Sequence, residues 1–117
     1  MDQFIYKIAT RSQWAEAEEA GVFEGAPIDL EDGYIHFSTA SQARETAAKH
    51  FSGHDDLLLV TVDAEKLGET LKYEPSRGGQ LFPHLYGTLS LDAVTQVDPL
   101  PLTADGMHRF PDHVGAT

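Results

Sequence analysis

The sequence predicts an α+β domain built on a bent, mostly antiparallel or mixed sheet with two helices. Three observations point there. Strand-like and helix-like segments alternate only in the first half, and the second half carries short strand patterns without the crossover helices that a regular parallel sheet requires. A continuous apolar run, Leu57-Leu58-Leu59-Val60-Thr61-Val62, is bounded by turn residues and reads as an interior strand covered on both faces. Finally, Gly33-Tyr34-Ile35-His36-Phe37-Ser38-Thr39 runs straight into Ala40 to Arg44, so a strand feeds directly into a helix.

Taken in order, Gln3 to Ala9 is rich in β formers, and Phe4, Ile5, Tyr6 and Ile8 read as a first strand interrupted by Lys7. Thr10-Arg11-Ser12-Gln13 has the form of a capping box and opens a helix through about Ala20, with Trp14 and Ala17 facing inward and Gly21 as its stop. Gly25 to Gly33 contains Pro27 and several acids and reads as a loop. Thr39 and Gln42 repeat the capping box for a second helix, whose Ala40, Ala43, Ala47 and Phe51 share one face. After a turn at Gly53 and the apolar strand, Ala64 to Leu67 makes one helical turn and Thr70 to Glu74 alternates like a half-exposed strand ended by Pro75. Pro75 to Gln80 is a flexible connection delivering Leu81 to Gly87, and Leu91 to Val97 supplies a last strand. Gly78-Gly79 beside Arg77 admits a phosphate-cradling reading, but a glycine pair is far more often a plain turn.

A chain of 117 residues, 41% hydrophobic and 23% charged, supports one core. The expected division is one globular domain over 1–98 and a weakly packed tail over 99–117, touching the core through Met107 and Phe110 at most and mobile at its end. No apolar run approaches a membrane span, and Met1-Asp2-Gln3 has neither a basic leader nor a long hydrophobic segment, so a soluble cytoplasmic protein is expected. The absence of cysteine excludes disulfides, thiolate nucleophiles and cysteine-ligated zinc. A formal charge of −11 with no basic cluster repels a polyanion and argues against a nucleic-acid duplex, leaving a small molecule or nucleotide as the expected partner.

Six histidines invite a metal site, but their spacing does not support one. His50 and His54 are separated by Gly53, and His108 and His113 fall in the tail, where solvation is expected. More informative are polar groups on otherwise apolar elements: His36, Glu74, His84 and Tyr86. If they are one another's partners they form a cleft able to bind ribose hydroxyls and stack a planar base. The bland reading is a structural hydrogen-bond network locking a Phe82-Pro83 turn against the sheet, and the two stand side by side. His36 and Ser38 also precede a helix N-terminus, where free donors can receive an anion or a polar ligand, although a hydroxyl such as that of Ser38 or Thr39 is as often only a cap.

The chain resembles a family of short, mostly bacterial proteins classed as a domain of unknown function. Ile5-Tyr6-Lys7-Ile8 with Trp14, Gly33 to Ser38, Asp56 to Asp63, Glu74-Pro75, Phe82-Pro83-His84-Leu85-Tyr86-Gly87 and Ala93-Val94 carry the resemblance over nearly the whole chain. A more distant layout is similar to ADP-ribosyltransferase-like domains, including RNA 2′-phosphotransferases, which bind NAD or an ADP-ribose moiety in the cleft of a split, bent sheet. That resemblance implies Glu74 and His36 as catalytic residues, with Lys7, Ser38, Thr39, His84 and Tyr86 binding the ligand. Lys7 stands where the family usually has His, and its ammonium offers no acceptor for ribose recognition. The expected function is therefore binding, and transfer chemistry, on an NAD-like or ADP-ribose-containing ligand, with NAD a substrate and no metal. The competing expectation is a non-catalytic binding module in which the same residues are structural.

Overall fold

The computed structural model describes residues 3–114 and opens with strand β1 (Phe4–Thr10), whose last residue caps helix α1 (Arg11–Ala20). Thr10 Oγ1 accepts the Gln13 N–H at 3.1 Å and Gln13 Oε1 accepts the Thr10 N–H at 2.9 Å, the reciprocal box expected of this spacing. Gly21, at φ +81°, closes the helix by donating to the Ala17 carbonyl.

β1 pairs with β4 (Leu57–Asp63), which sits between it and β8 (Val94–Pro99), all antiparallel. Alternation along β4 then sorts the core. Val60 and Val62 pack with Ile5, Trp14, Phe23, Ile35, Phe37, Leu85 and Leu89 on one face. Leu57 and Leu59 join Tyr6, Ile8, Ala43 and Ala47 on the other, so the apolar run is an interior strand covered on both sides.

A second antiparallel sheet places β6 (Leu81–Leu85) between β3 (Ile35–His36) and β5 (Leu71–Pro75). The strand expected over Gly33 to Thr39 is divided between the two sheets. Ile35 and His36 pair with Leu85 and His84, Phe37 N–H donates to the Pro83 carbonyl at 2.9 Å, and then Ser38 exchanges two 2.8 Å backbone hydrogen bonds with Tyr6. Within three residues the chain leaves one sheet and joins the other, which is the bend. Helix α3 (Ala40–His50) follows at once. Phe82-Pro83 is strand and not turn: the N–H that Pro83 lacks would face the segment carrying Phe37, where the short β3 has already ended.

Gly25 to Gly33 is not simply a loop but holds a third helix, α2 (Pro27–Asp32). Pro27 at its first position, Asp29 accepting the Ala26 N–H at 2.7 Å, and Gly33 at φ +87° supply start and stop. Its polarity is inverted: Ile28 and Leu30 are 54% and 64% exposed while Asp29 is 2% exposed, so hydrophobic periodicity does not reveal it. A two-stranded pair of β2 (Val22–Phe23) with β7 (Leu89–Ser90) also goes beyond the sequence reading, and the last strand begins after a 3₁₀ turn over Leu91–Ala93.

The segment after Pro99 contributes more than Met107 and Phe110. Leu100 and Val114 are fully buried in the second core cluster, and the Arg44 guanidinium lies 5.0 Å over the Phe110 ring. His108 and His113 are partnered and not merely solvated, bonding the His54 carbonyl at 2.7 Å and Asp98 at 2.8 Å. The mobility expected at the chain end concerns 115–117, which lie outside the described residues, as does the Arg77 side chain. The Gly78-Gly79 backbone is a turn, with the Gly79 N–H on the Ser76 carbonyl at 2.9 Å.

Gly25 has φ +118°, and a Cβ there would stand 2.9 Å from the Cβ of Asp29, whereas one at Gly21 would meet nothing within 4 Å. Gly25→Ala should therefore cost roughly 2–3 kcal/mol and Gly21→Ala roughly 1 kcal/mol. Thermal denaturation of the two variants checks this, and equal melting temperatures would remove the steric claim.

Candidate functional site

Where β1 and β3 diverge, the bent sheet opens into a cleft of about 300 Å³. Tyr6, Lys7 and Ile8 all line it, and three consecutive residues can do so only along the edge of a strand, not over one face. The facing wall is His36, Phe37 and Ser38, with Phe82 and His84 from β6. Thr46 and His50 of α3, with Phe51 beyond it, close a third side.

One buried carboxylate organises the polar end. Asp29 on α2 receives Lys7 Nζ at 2.8 and 3.0 Å, His36 Nδ1 at 2.6 Å, the His36 N–H at 3.1 Å and the Ala26 N–H at 2.7 Å. Burial pushes its carboxyl up, but the His36 hydrogen bond, the Lys7 charge and hydrogen bond, and the Ala26 N–H outweigh that and hold it at about 2. Burial also lowers the Lys7 ammonium, and the attraction and hydrogen bond of Asp29 only partly offset the loss of water. His36 Nε2 lies 2.9 Å from Asp32 Oδ2. With a carboxylate on each nitrogen, the ring donates both hydrogen bonds only in its doubly protonated form.

A second set stands on the same sheet face. His36 and Lys72 lie opposite His84 on its two neighbouring strands, and alternation adds Phe82 and Glu74. Glu74 Oε1 accepts from His84 Nδ1 at 2.8 Å and from the Tyr86 hydroxyl at 2.7 Å. These two bonds, His84 first, hold the Glu74 carboxyl below its ordinary value, and the same bond raises the Tyr86 phenol. Tyr34 stacks on His84 with ring centroids 4.2 Å apart and reaches His36 at 4.7 Å and Tyr86 at 5.2 Å. Desolvation, then the charges of Asp32 and Glu74, raise its phenol.

Of the residues singled out in the sequence, Lys7, His36, Ser38 and His84 come together at the cleft. Glu74 stands one hydrogen bond from His84 and Tyr86 one further, on Glu74, and neither lines the cleft wall. Thr39 is drawn away to cap α3, its N–H donating to Gln42 Oε1 at 3.0 Å. Ser38 Oγ bonds Thr46 Oγ1 at 2.9 Å. The sequence reading missed Asp29, Asp32 and Tyr34. Pro27 followed by Asp29 and stopped by Gly33 is a legible helix signature, and Tyr34 two residues before His36 repeats the spacing of His84 and Tyr86. Among the described residues no three His, Cys, Asp or Glu side chains converge on a metal position, and no helix is long and apolar enough to cross a membrane.

Residues 8–97 match the family described as Protein of unknown function (DUF952). Among solved structures, the chain is similar to the crystal structure of protein CC0527 from Caulobacter crescentus, with a TM-score of 0.91 and 51% identity over 95% of this chain and 97% of that one. The solution NMR structure of CC0527 gives a TM-score of 0.85 at 51% identity, covering 95% and 96% of the two chains. A crystal structure of a double mutant of CC0527 gives 0.90 at 50% identity, covering 95% and 97%. No curated protein matches.

Asp29→Asn leaves the Lys7 ammonium buried without its counter-charge and should cost roughly 3–5 kcal/mol, measured by urea denaturation at neutral pH. In the wild type, the folded carboxyl at about 2 lies below the ordinary 3.8, so its stabilisation is complete above the ordinary value and drains away as pH falls through about 2. That contribution is on the order of 2 kcal/mol. A variant whose acid-unfolding limb superimposes on that of the wild type would show that Asp29 does not carry it.

Proposed function

We propose that this chain, which belongs to the family described as Protein of unknown function (DUF952), binds a ribose-bearing nucleotide of the NAD or ADP-ribose type in the fork between β1 and β3. The observation that carries the reading is the convergence of Lys7, His36, Ser38 and His84 on one cleft with aromatic walls. Binding sites for small molecules combine an apolar lining with a few placed polar groups, and span roughly 300–1,000 Å³. At about 300 Å³ this cleft takes one nucleoside half, and the remainder of a dinucleotide extends past His36. His36, Ser38 and His84 supply partners for ribose hydroxyls, while Tyr6, Phe51 and Phe82 offer apolar surface to a base. The names of the matched proteins carry no ligand, so the ligand class rests on these residues and on the resemblance to ADP-ribosyltransferase-like domains.

In the transferase form of this reading, positive charge develops on the ribose as its bond to the base breaks. His36 then positions the sugar, and Glu74 acts through His84, whose ring its carboxylate orients. A second reading has a specific observation in its favour. Asp29 and Glu74 each already hold two side chains, as a purely structural network would.

A thermal-shift panel of NAD, ADP-ribose and AMP separates the two. Ligand at about 100 times its dissociation constant stabilises the native state by about 2.7 kcal/mol, a rise of several degrees that His84→Ala should abolish. If no nucleotide moves the melting temperature, the structural reading stands. Nicotinamide release from NAD, lost in Glu74→Ala with folding intact, supports transfer; binding without release leaves a non-catalytic module.

A further inference from the structure

We propose that Lys7 is a covalent acceptor for small aldehydes, in particular the open-chain reducing end of a pentose, which it captures as an iminium in the cleft. Lys7 lies between Tyr6 and Ile8 in β1 and lines the cavity with them, yet its side chain is only 7% exposed. Lys49, Lys66 and Lys72 are all exposed on the surface. The nucleophile in such a capture is the neutral amine, and a lysine desolvated against apolar surroundings keeps more of its amine in that form. Burial acts on Lys7 in that direction.

The charge balance of the step suits the site. The Lys7 ammonium first gives one proton to water, and neutral Nζ attacks the carbonyl carbon to form a carbinolamine. A proton then returns to the hydroxyl, which leaves as water. One C–N double bond replaces one C–O double bond, no electrons are gained or lost, and an ammonium plus an aldehyde become an iminium plus water. The positive charge therefore stays on Nζ, 2.8 Å from a carboxylate that remains ionised throughout. The proton that the hydroxyl takes up comes from water, since both His36 nitrogens are engaged by Asp29 and Asp32. Ser38 and His84 in the same cleft provide partners for the hydroxyls of a pentose chain. The inference needs the aldehyde and not the base, so it goes beyond the nucleotide reading.

The test incubates the intact protein with ribose 5-phosphate and sodium cyanoborohydride, which delivers hydride to the iminium carbon and fixes it as a secondary amine. Peptide mapping by mass spectrometry then locates the adduct. Lys7 should be modified severalfold faster than Lys49, Lys66 and Lys72, because the cleft holds the aldehyde beside it while the exposed lysines meet the aldehyde only from bulk solution. Lys7→Arg keeps a cation on Asp29 but cannot form the imine, and should lose the fast adduct while the exposed lysines keep theirs. If Lys7 in the wild type is unmodified, or no faster than the exposed lysines, the proposal is overturned whether or not the variant folds. NAD, whose ribose carbons bear no free aldehyde, still reports nucleotide binding by thermal shift, so failure of one reading is visible apart from failure of the other.

Discussion

The carboxylate of Asp29 is the constraint on which the polar half of this molecule depends. It belongs to a six-residue helix whose own apolar side chains, Ile28 and Leu30, face outward. Asp29 is the one residue that α2 buries, and it joins α2 to Lys7 of β1 and to both the main chain and the ring of His36 in β3. A strand 22 positions away and the strand that follows α2 seven positions on both meet at two oxygen atoms. A buried carboxylate is costly unless its lone pairs are filled, and here donors from Lys7, His36 and Ala26 fill them. The depressed carboxyl and the depressed ammonium are two sides of that balance. Several donors favour the anion, while the cation has lost its water and is repaid in part by one partner.

The cleft follows from that clasp together with the crossover at Ser38. Ser38 turns away from β6 to pair with Tyr6, which ties the two sheets together at one point, and the cleft lies beside that junction along Lys7 and Ile8. The third side is set by Gln42. Its Oε1 caps the first turn of α3 while its Nε2 donates to the Leu81 carbonyl at 2.8 Å, so the helix start and β6 are held by one side chain. The walls are thus fixed by hydrogen bonds between backbone and side chain, which are directional in a way that apolar contacts are not.

Much of the fold was legible because it rests on short-range physics. Thr10 with Gln13 and Gly21 bracket α1, Thr39 opens α3, and the run from Leu57 to Val62 is the interior strand it resembles. The illegible parts have a common cause: each is stabilised by something distant. α2 has local start and stop signals in Pro27 and Gly33, but its apolar residues lie outside and its buried acid reaches a lysine 22 positions away, so periodicity does not mark it and its role in the site is not local. The tail is polar by composition, yet Leu100 and Val114 find a groove already walled by Ala43, Ala47 and Leu57. Of the candidate site, the gathering of His36 and His84 follows from strand alternation once β3 and β6 are paired, but which strands pair is a long-range fact. Thr39 illustrates the opposite outcome, where a local cap claims a residue with the composition of a ligand-binding one.

The electrostatics of the cleft argue for what kind of surface it offers. The chain as a whole carries a formal charge of −11, which disfavours the approach of any anion at long range. At short range Lys7, His36 and Asp32 stand along the cleft wall, so an occupant meets closely spaced opposite charges whose net field decays quickly. Such a row favours groups that both donate and accept hydrogen bonds, as sugar hydroxyls do, over a compact multivalent anion, which would meet Asp32 as soon as it met His36. For the proposed ligand, this row of charges costs least when the ligand's own charge is held away from the cleft mouth.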